Sequence, residues 1–571
     1  MATPSRLIGQ LTSFARSVAP DRRTLARDAV AGVPGAIGSV PDGMAASVLV
    51  GVSPIHGLYA SFAGPIAGGL TASTRLMVIT TTSAAALAAG SALTHVSSGN
   101  RSDALIVLTL MAGAFMVVAG VLRLGRFARF VSISVMLGFL TGVAANIICG
   151  QLPDLTGAPS HGRVALGKAL NVVIHPHRIE WQSLLVGLSA LVIMIGLART
   201  RLRAFSSLVA IVLPTVLTIW LSGVASVSDA GTIPTGIPLP HLPRVGVINF
   251  DLITGALAVA VIVLVQGVGV SEAAPNRDGI RADANRDFVA QGVGNLASGF
   301  FRGQPVGGSV GQTALNLAAG ARTRWASIFS GIWMLAILVL FAGVVGKVAL
   351  PTLAAILIYA ASTSLRFGEL TTIWRTGLSS QIALATTFLA TLFLPVSAAV
   401  GVGLALSLLL QLNREALDLS VVELVPQPDG RLVERPPPAH LPSNAVTALD
   451  VYGSLFYAGA RTLEARLPDP VGSDAPLVVL RLRGRTSLGA TGLAVLAEYG
   501  ERLTSVGGQL YLSGVDAGLV DQLRRSGRID ERSPVHVFPA TEVVGESTTL
   551  AYSEAETWLV ERRSGIDSSA L

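Results

Sequence analysis

Uncharged stretches of bilayer-spanning length recur through the first 413 residues: 43–74, 76–100, 104–122, 131–153, 204–228, 252–271, 303–321, 325–346 and 376–413. A membrane helix needs about 20 mostly apolar residues, so each run supplies at least one span. The last run holds Pro395 near its middle and reads as two spans joined by a turn. Composition agrees. Of 571 residues 51% are hydrophobic and 13% charged, about half the roughly 25% charged share of an ordinary soluble domain. Disordered, collagen-like and disulfide-scaffold chains are excluded, and the single Cys149 leaves no partner for an intrachain disulfide. Residues 1–28 contain no long apolar core, so no cleavable signal peptide is expected.

The net charge of +7 conceals two opposed halves. Up to Asn413 there are 26 Arg and Lys against 13 Asp and Glu; beyond it there are 15 against 21. The basic half is also the apolar half, so nucleic acid is not the expected partner; membrane lipid is. Arg6, Arg16, Arg22, Arg23 and Arg27, the connector with Arg123, Arg126 and Arg129, and that with Arg199, Arg201 and Arg203 are the basic segments. The positive-inside rule places them in the cytoplasm. All basic residues in this half except Lys168 and Lys347 are Arg, a bias that suits a GC-rich bacterial genome.

After Asn413 the pattern changes. Pro426, Pro428 and Pro436 to Pro438 read as a stiff linker over 414–440. Beyond it, 477–484 and 509–515 have strand character, whereas 491–508 and 516–530 have helical spacing. Strand and helix in alternation predict a small α/β domain over 441–571. With an even number of spans it lies in the cytoplasm, where it could receive a regulator. The remaining divisions are a cytoplasmic tail, 1–28, and a membrane domain, 29–413.

Acids inside a bilayer are costly and usually functional. Of the 13 acids before Asn413, Asp42 alone falls well inside an apolar stretch, about 13 residues into the first expected span. It is a protonatable or cation-pairing group, or else a structural acid held by hydroxyls and amides. Two segments of small and polar residues also break the apolar pattern: VITTTSAAALAAGSAL at 78–93 and RGQPVGGSVGQTALNLAAGAR at 302–322. Each joins a stretch able to run extended to an Ala-rich stretch able to run helical. Paired broken helices with their N-termini facing an anion are a transporter device; close helix packing is the plainer explanation for small residues. The histidines, His56, His95, His161, His175, His177 and His241 among them, lie in loops or at span ends without metal-ligand spacing. No phosphate-binding or nucleophile motif is present, and neither a cofactor nor enzymatic catalysis is expected.

The segment RDAVAGVPGAIGSVPDGMAASVLVGVSPIHGLYASFAGP, 27–65, resembles the opening of the sulfate permease family. NRDFVAQGVGNLASGFFRGQPVGGSVGQTALNLAAGARTR, 285–324, resembles that family's second signature, and the tail resembles its STAS domain, with GATGL at 489–493 and LRRSGRID at 523–530. The resemblance implies a polytopic α-helical membrane protein. It would have about 14 transmembrane segments in a 7+7 inverted repeat of core and gate domains, followed by a cytoplasmic α/β STAS domain. It also implies a homodimer in the cell membrane and a small anion bound between segments 3 and 10. The half-helix ends would then be supplied by Thr81, Thr82 and Ser83 and by Gly307, Gly308 and Ser309, with Gln266 and Gln312 as polar lining.

Departures from the family pattern bear on coupling. Asp42 stands where the family usually has Gln, Gln266 where an acid is common, Gln312 where Arg is frequent, and Thr80-Thr81 where Gly-Pro is frequent. The expectation is that coupling chemistry has moved to Asp42. Val270 and Val310 replace useful hydroxyls, so sodium coupling is not expected; Ala490 replaces a phosphorylatable Ser, with Thr491 next to it. The function expected is secondary transport of a small anion of the sulfate, bicarbonate or dicarboxylate class, by proton symport or anion exchange. An anion channel and a non-transporting sensor acting through the STAS domain are the alternatives.

Overall fold

The computed structural model describes residues 19, 22–126, 132–159, 164–200, 205–221, 223–230, 239–240, 243, 245–394, 396–417, 419–427, 431–453, 455, 457–526 and 535–564. His161, His241 and the last part of 523–530 lie outside them. The chain divides into two compact units, 1–407 and 408–571.

In the first unit, helices α1 (Arg22–Val50) and α2 (Ile55–Thr71) lead into strand β1 (Ile79–Thr81) and helix α3 (Ser83–Ala92). Then come α4 (Arg101–Val121), α5 (Ile133–Thr156), a short α6 (Ala165–Ile174), α7 (Trp181–Ala198) and α8 (Ser206–Leu217). The series restarts with α9 (Phe250–Ala273), α10 (Ala284–Phe300), strand β2 (Val306–Gly308) and α11 (Val310–Ala318). It closes with α12 (Trp325–Val345), α13 (Leu350–Ser364), a short α14 (Phe367–Thr376), α15 (Leu378–Phe393) and α16 (Val396–Leu417). Counting each strand with its helix and setting α6 and α14 aside gives seven segments twice. The third of each seven is a strand followed by a helix, and a short helix sits between the fifth and sixth. Large apolar side chains face outward, such as Val192 and Leu340 at 67% and 72% exposed, as lipid-facing surfaces require.

Two bundles make up this unit. Helices α1–α4 pack with α9–α12, and α5–α8 pack with α13–α16. Lipid gives no hydrophobic drive between helices, so close approach of small residues matters. A Cβ on Gly57 would fall 1.8 Å from the Gly43 carbonyl oxygen and 2.7 Å from Ser47 Oγ, so α1 and α2 cross backbone to backbone.

The strands have few backbone partners. They pair antiparallel, with Ile79 opposite Gly308, Thr80 opposite Gly307 and Thr81 opposite Val306. The other edge of β2 is satisfied by side chains of α10. Asn295 Nδ2 donates to the Val306 carbonyl at 2.7 Å, its Oδ1 accepts the Val306 N–H at 3.0 Å, and Gln291 Oε1 accepts the Gly308 N–H at 3.1 Å. On the same helix Asp287 accepts the N–H groups of Ser73 and Thr74 at 2.7 and 3.0 Å, and Ser298 Oγ donates to the Gln304 carbonyl at 2.6 Å. Residues 287, 291, 295 and 298 fall on one helix face, and all four are buried.

Asp28 has a matching task. It accepts the Arg322 N–H at 2.7 Å and the Thr323 hydroxyl at 2.5 Å. Arg324 and Arg286 donate to the Leu70 and Thr71 carbonyls at 2.8 and 3.0 Å, two cations at the negative end of α2. Two further acids are buried, Asp28 and Asp287 at 0% and 3% exposed, but they lie toward helix starts and not at the depth of Asp42 along α1. Backbone amides hold both there, where sequence hydropathy gives no sign of burial.

The second unit holds a six-stranded sheet in the order β4-β3-β5-β6-β7-β8. Its strands are β3 (Ser420–Pro426), β4 (Leu432–Arg435), β5 (Val446–Tyr452), β6 (Leu477–Arg481), β7 (Gln509–Val515) and β8 (Val535–Pro539). Its helices are α17 (Tyr457–Arg466), α18 (Ala490–Ser505), α19 (Ala517–Ser526) and α20 (Glu546–Ser564). Strands β5 to β8 are parallel. Val478 and Leu480 of β6 pack with α17, α18 and α19, whereas Leu477 and Val479 pack with α20. Cover on both faces is what a parallel sheet needs. The stiff linker expected over 414–440 is corrected, because β3 and β4 form an antiparallel pair there, bounded rather than broken by prolines.

Two outcomes follow from this packing. Gly57→Ala should overpack α1 against α2 and destabilise the protein by about 1–3 kcal/mol, read as a lower Tm in detergent. Asn295→Leu should orphan both polar groups of Val306 at about 1–3 kcal/mol each, lowering Tm further than Ser298→Ala, which frees one.

Candidate functional site

The two broken segments begin their helices with hydroxyl caps. Thr82 is extended and its Oγ1 accepts the Ala85 N–H at 3.3 Å; Ser309 is extended and its Oγ accepts the Gln312 N–H at 3.3 Å. Ser83 is the first helical residue of α3, and Gly307 and Gly308 end β2. Two further bonds tie the segments together: Ser309 N–H donates to the Val78 carbonyl at 2.9 Å, and Val78 N–H donates to Thr313 Oγ1 at 3.0 Å. Because the pairing is antiparallel, α3 and α11 leave opposite ends of the short ladder and point apart, each starting with an N-terminus beside it.

Helix α1 passes the ladder. Along α11, a Cβ on Gly35 would lie 2.6 Å from Asn316 Oδ1, and one on Gly38 would lie 3.2 Å from Gln312 Nε2. Along α3, a Cβ on Gly90 would lie 3.0 Å from the Leu49 carbonyl oxygen. Asp42 lies seven residues before Leu49 on the same helix. There Gln312 Nε2 donates to Asp42 Oδ2 at 2.7 Å. Asp42 is eight residues before Val50, about 12 Å at 1.5 Å per residue, near the middle of a hydrocarbon layer about 30 Å thick. Pro41, inside α1, removes one helical hydrogen bond just before it.

The structure thus brings together Asp42, Gln312, Ser309 and the two helix starts. Thr81, Thr82, Ser83, Gly307 and Gly308 surround the strand pair. Gln266 lies on α9 one residue before Gly267, whose Cα is 3.3 Å from a Cβ built on Gly308; no hydrogen bond joins it to Asp42 among the described residues. Buried polar atoms without a hydrogen-bond partner among the described residues gather in these segments: Thr80 Oγ1, Thr81 Oγ1, Gln266 Oε1, Gln312 Oε1 and Asn316 Oδ1. Val270 is buried against Met77 and Ile79, and Val310 opens α11. Chemically, the arrangement offers two helix N-termini, carboxamides, hydroxyls and one carboxylate.

Sequence reasoning missed Gln291, Asn295, Thr313 and Asn316. Its available signal was spacing: Asp287, Gln291, Asn295 and Ser298 form a polar stripe on an otherwise small and apolar helix. Likewise Gly32, Gly35 and Gly38 recur every third residue before Asp42, leaving a groove for α11 and α12. His56, expected in a loop or at a span end, is a buried first-turn residue of α2.

Comparison with known proteins agrees with this geometry. The Sulfate permease family matches residues 25–387. A Mycobacterium tuberculosis protein named "Probable sulfate transporter" is 29% identical over 529 residues, covering 90% of this chain and 94% of its own. Among solved structures, the murine solute carrier 26 family member A9 anion transporter, inward-facing, superposes with a TM-score of 0.82 at 18% identity. It covers 97% of this chain and 95% of that one. The transmembrane domain of a cyanobacterium bicarbonate transporter gives 0.57 at 20% identity, covering 68% and 98%. These likenesses show the membrane fold and are consistent with a STAS domain in the sheet unit. With the family matched over more than half its length, the chain belongs to the sulfate permease family.

Proposed function

We propose that the protein is a secondary transporter of a small anion, of the sulfate, bicarbonate or dicarboxylate class, working in symport with protons. The observation that carries the proposal is the position of Asp42 at the two helix starts. Each helix N-terminus is worth roughly half a positive charge, so the pair balances about one negative charge. That charge is either the Asp42 carboxylate or the substrate. A monovalent anion about 4 Å from an ionised Asp42 would meet a repulsion of about 4 kcal/mol at an effective dielectric constant of 20, close to a thousandfold in affinity, and a dianion such as sulfate about twice that energy. Protonating Asp42 removes the repulsion, which ties anion binding to proton binding.

Transport then proceeds by alternating access, with the bundle α1–α4 and α9–α12 moving against α5–α8 and α13–α16. The placement of Arg between spans supports cytoplasmic termini in a cell-membrane protein, and relatives of this fold support a homodimer. The membrane boundary 29–413 belongs to the same proposal, and the STAS domain takes in β3 and β4 together with 441–571. Thr81, Thr82, Ser83, Gly307, Gly308, Ser309, Gln312 and Gln266 line the substrate site. Ala490 opens α18 without a hydroxyl, so regulation through the STAS domain would use a bound partner.

Proteoliposome uptake of labelled sulfate, bicarbonate, chloride and succinate, under imposed proton or sodium gradients, tests this reading. The wild type should accelerate for at least one anion when protons are driven inward. Asp42→Asn should retain downhill flux and lose that acceleration, a change of roughly tenfold. Wild-type pH dependence in Asp42→Asn would overturn the role of Asp42.

A further inference from the structure

Far from the Asp28 and Asp287 caps, the core presents a charge without a hydrogen-bond or ion-pair partner among the described residues. Arg302 follows α10, whose 16 steps from Ala284 to Phe300 carry the chain about 24 Å. Its φ is +61°, in the left-handed region that favours glycine. Its backbone is pinned from two sides: its N–H donates to the Gly299 carbonyl at 3.0 Å, and its carbonyl accepts from His56 Nδ1 at 2.5 Å. His56 Nε2 lies 3.1 Å from Ser102 Oγ at the start of α4, and the His56 carbonyl accepts the Gln304 N–H at 3.2 Å. Elements α2, α4 and α10 therefore fix this turn.

A turn so well held would be easier to form with glycine. Arg supplies instead an exposed guanidinium that has no hydrogen bond or ion pair with any described residue. Nearby Arg101 differs, since its Nε donates to the Val96 carbonyl at 3.2 Å. Inward of Arg302 lies Gln304, fully buried. Ser47 Oγ donates to its Oε1 at 3.2 Å, while its Nε2 has no partner among the described residues. Ser47 is five residues along α1 from Asp42, about 7.5 Å, and Gln304 is two residues before β2. A buried N–H donor, Gln304 Nε2, thus lies in sequence between the surface cation and the half-helix that β2 begins.

We propose that Arg302 is an outer capture residue for the transported anion, its guanidinium held by a left-handed turn at the surface of the core so that anions are drawn toward this end of the protein. The proposal rests on the transport reading above and on cytoplasmic placement of the Asp28 end. Charge at a cleft mouth raises the local concentration of an opposite charge, and salt screens the effect. Lipid phosphate is the other anion such a guanidinium could meet, and that role would leave substrate KM alone.

Initial uptake rates in whole cells give the test, using the labelled anion of the panel that the wild type carries, at low and at physiological external ionic strength. Arg302→Gly should keep the wild-type Tm or exceed it, because the left-handed turn suits glycine. Its KM at low salt should rise about fivefold, with Vmax within about twofold. Arg302→Lys should fall between the two, and the gap should shrink as the screening length falls from about 30 Å at 0.01 M to about 8 Å at 0.15 M. Wild-type KM in Arg302→Gly at low salt would overturn the capture role, with the residue then serving lipid or the turn alone. A KM difference that ignores salt would also overturn it. No uptake of any panel anion by the wild type would defeat the transport reading and this proposal together.

Discussion

Unwound backbone inside a membrane must find its hydrogen bonds within the protein, because hydrocarbon offers none. The pairing of β1 with β2 meets that demand and fixes much else. It aligns Ile79 with Gly308 and Thr81 with Val306, so α3 and α11 start on either side of one short ladder and point apart. It also leaves the outer edge of β2 to Asn295 and Gln291, which explains a buried carboxamide stripe on a helix that otherwise packs through glycine. Gly307 and Gly308 follow from the same crowding: a Cβ on either would come 2.9 Å from Val263 or Met77.

From this arrangement the electrostatics follow. Two short helices of 10 and 9 residues direct N-termini at a midplane point, and α1 brings a carboxylate there. A field worth about one charge cannot hold two anions. Gln312 keeps Asp42 in place by donating Nε2, and the glycines at 35 and 38 let α11 come close enough to do so. Coupling in this account belongs to the packing of α1 on α11 and needs no cationic side chain at the site.

Much of this was legible in the chain. The spans, the division of 376–413 into two helices, both strand-then-helix segments, and the strands at 477–481 and 509–515 all follow from hydropathy and period. Asp42, Ser309 and Gln312 were each singled out before any geometry. What could not be read was burial by backbone amides. Asp28 and Asp287 sit at helix starts beside basic residues, so they look exposed, and only folding brings the Arg322–Thr323 and Ser73–Thr74 amides to them. The hairpin of β3 and β4 was hidden by its flanking prolines, which read as a linker although Val421 and Leu424 point into cores. Arg302 gave no signal, since a left-handed φ is a property of the folded turn.

The central claim is that Asp42 and the substrate compete for one field, so that anion and proton bind together. Calorimetric titration of the detergent-solubilised protein with a transported anion, in buffers of different ionisation enthalpy, measures protons taken up on binding. The account predicts that a proton is taken up with each anion in the wild type and none in Asp42→Asn. Binding of the anion to the wild type without proton uptake, at a pH where Asp42 is ionised in the free protein, would contradict it.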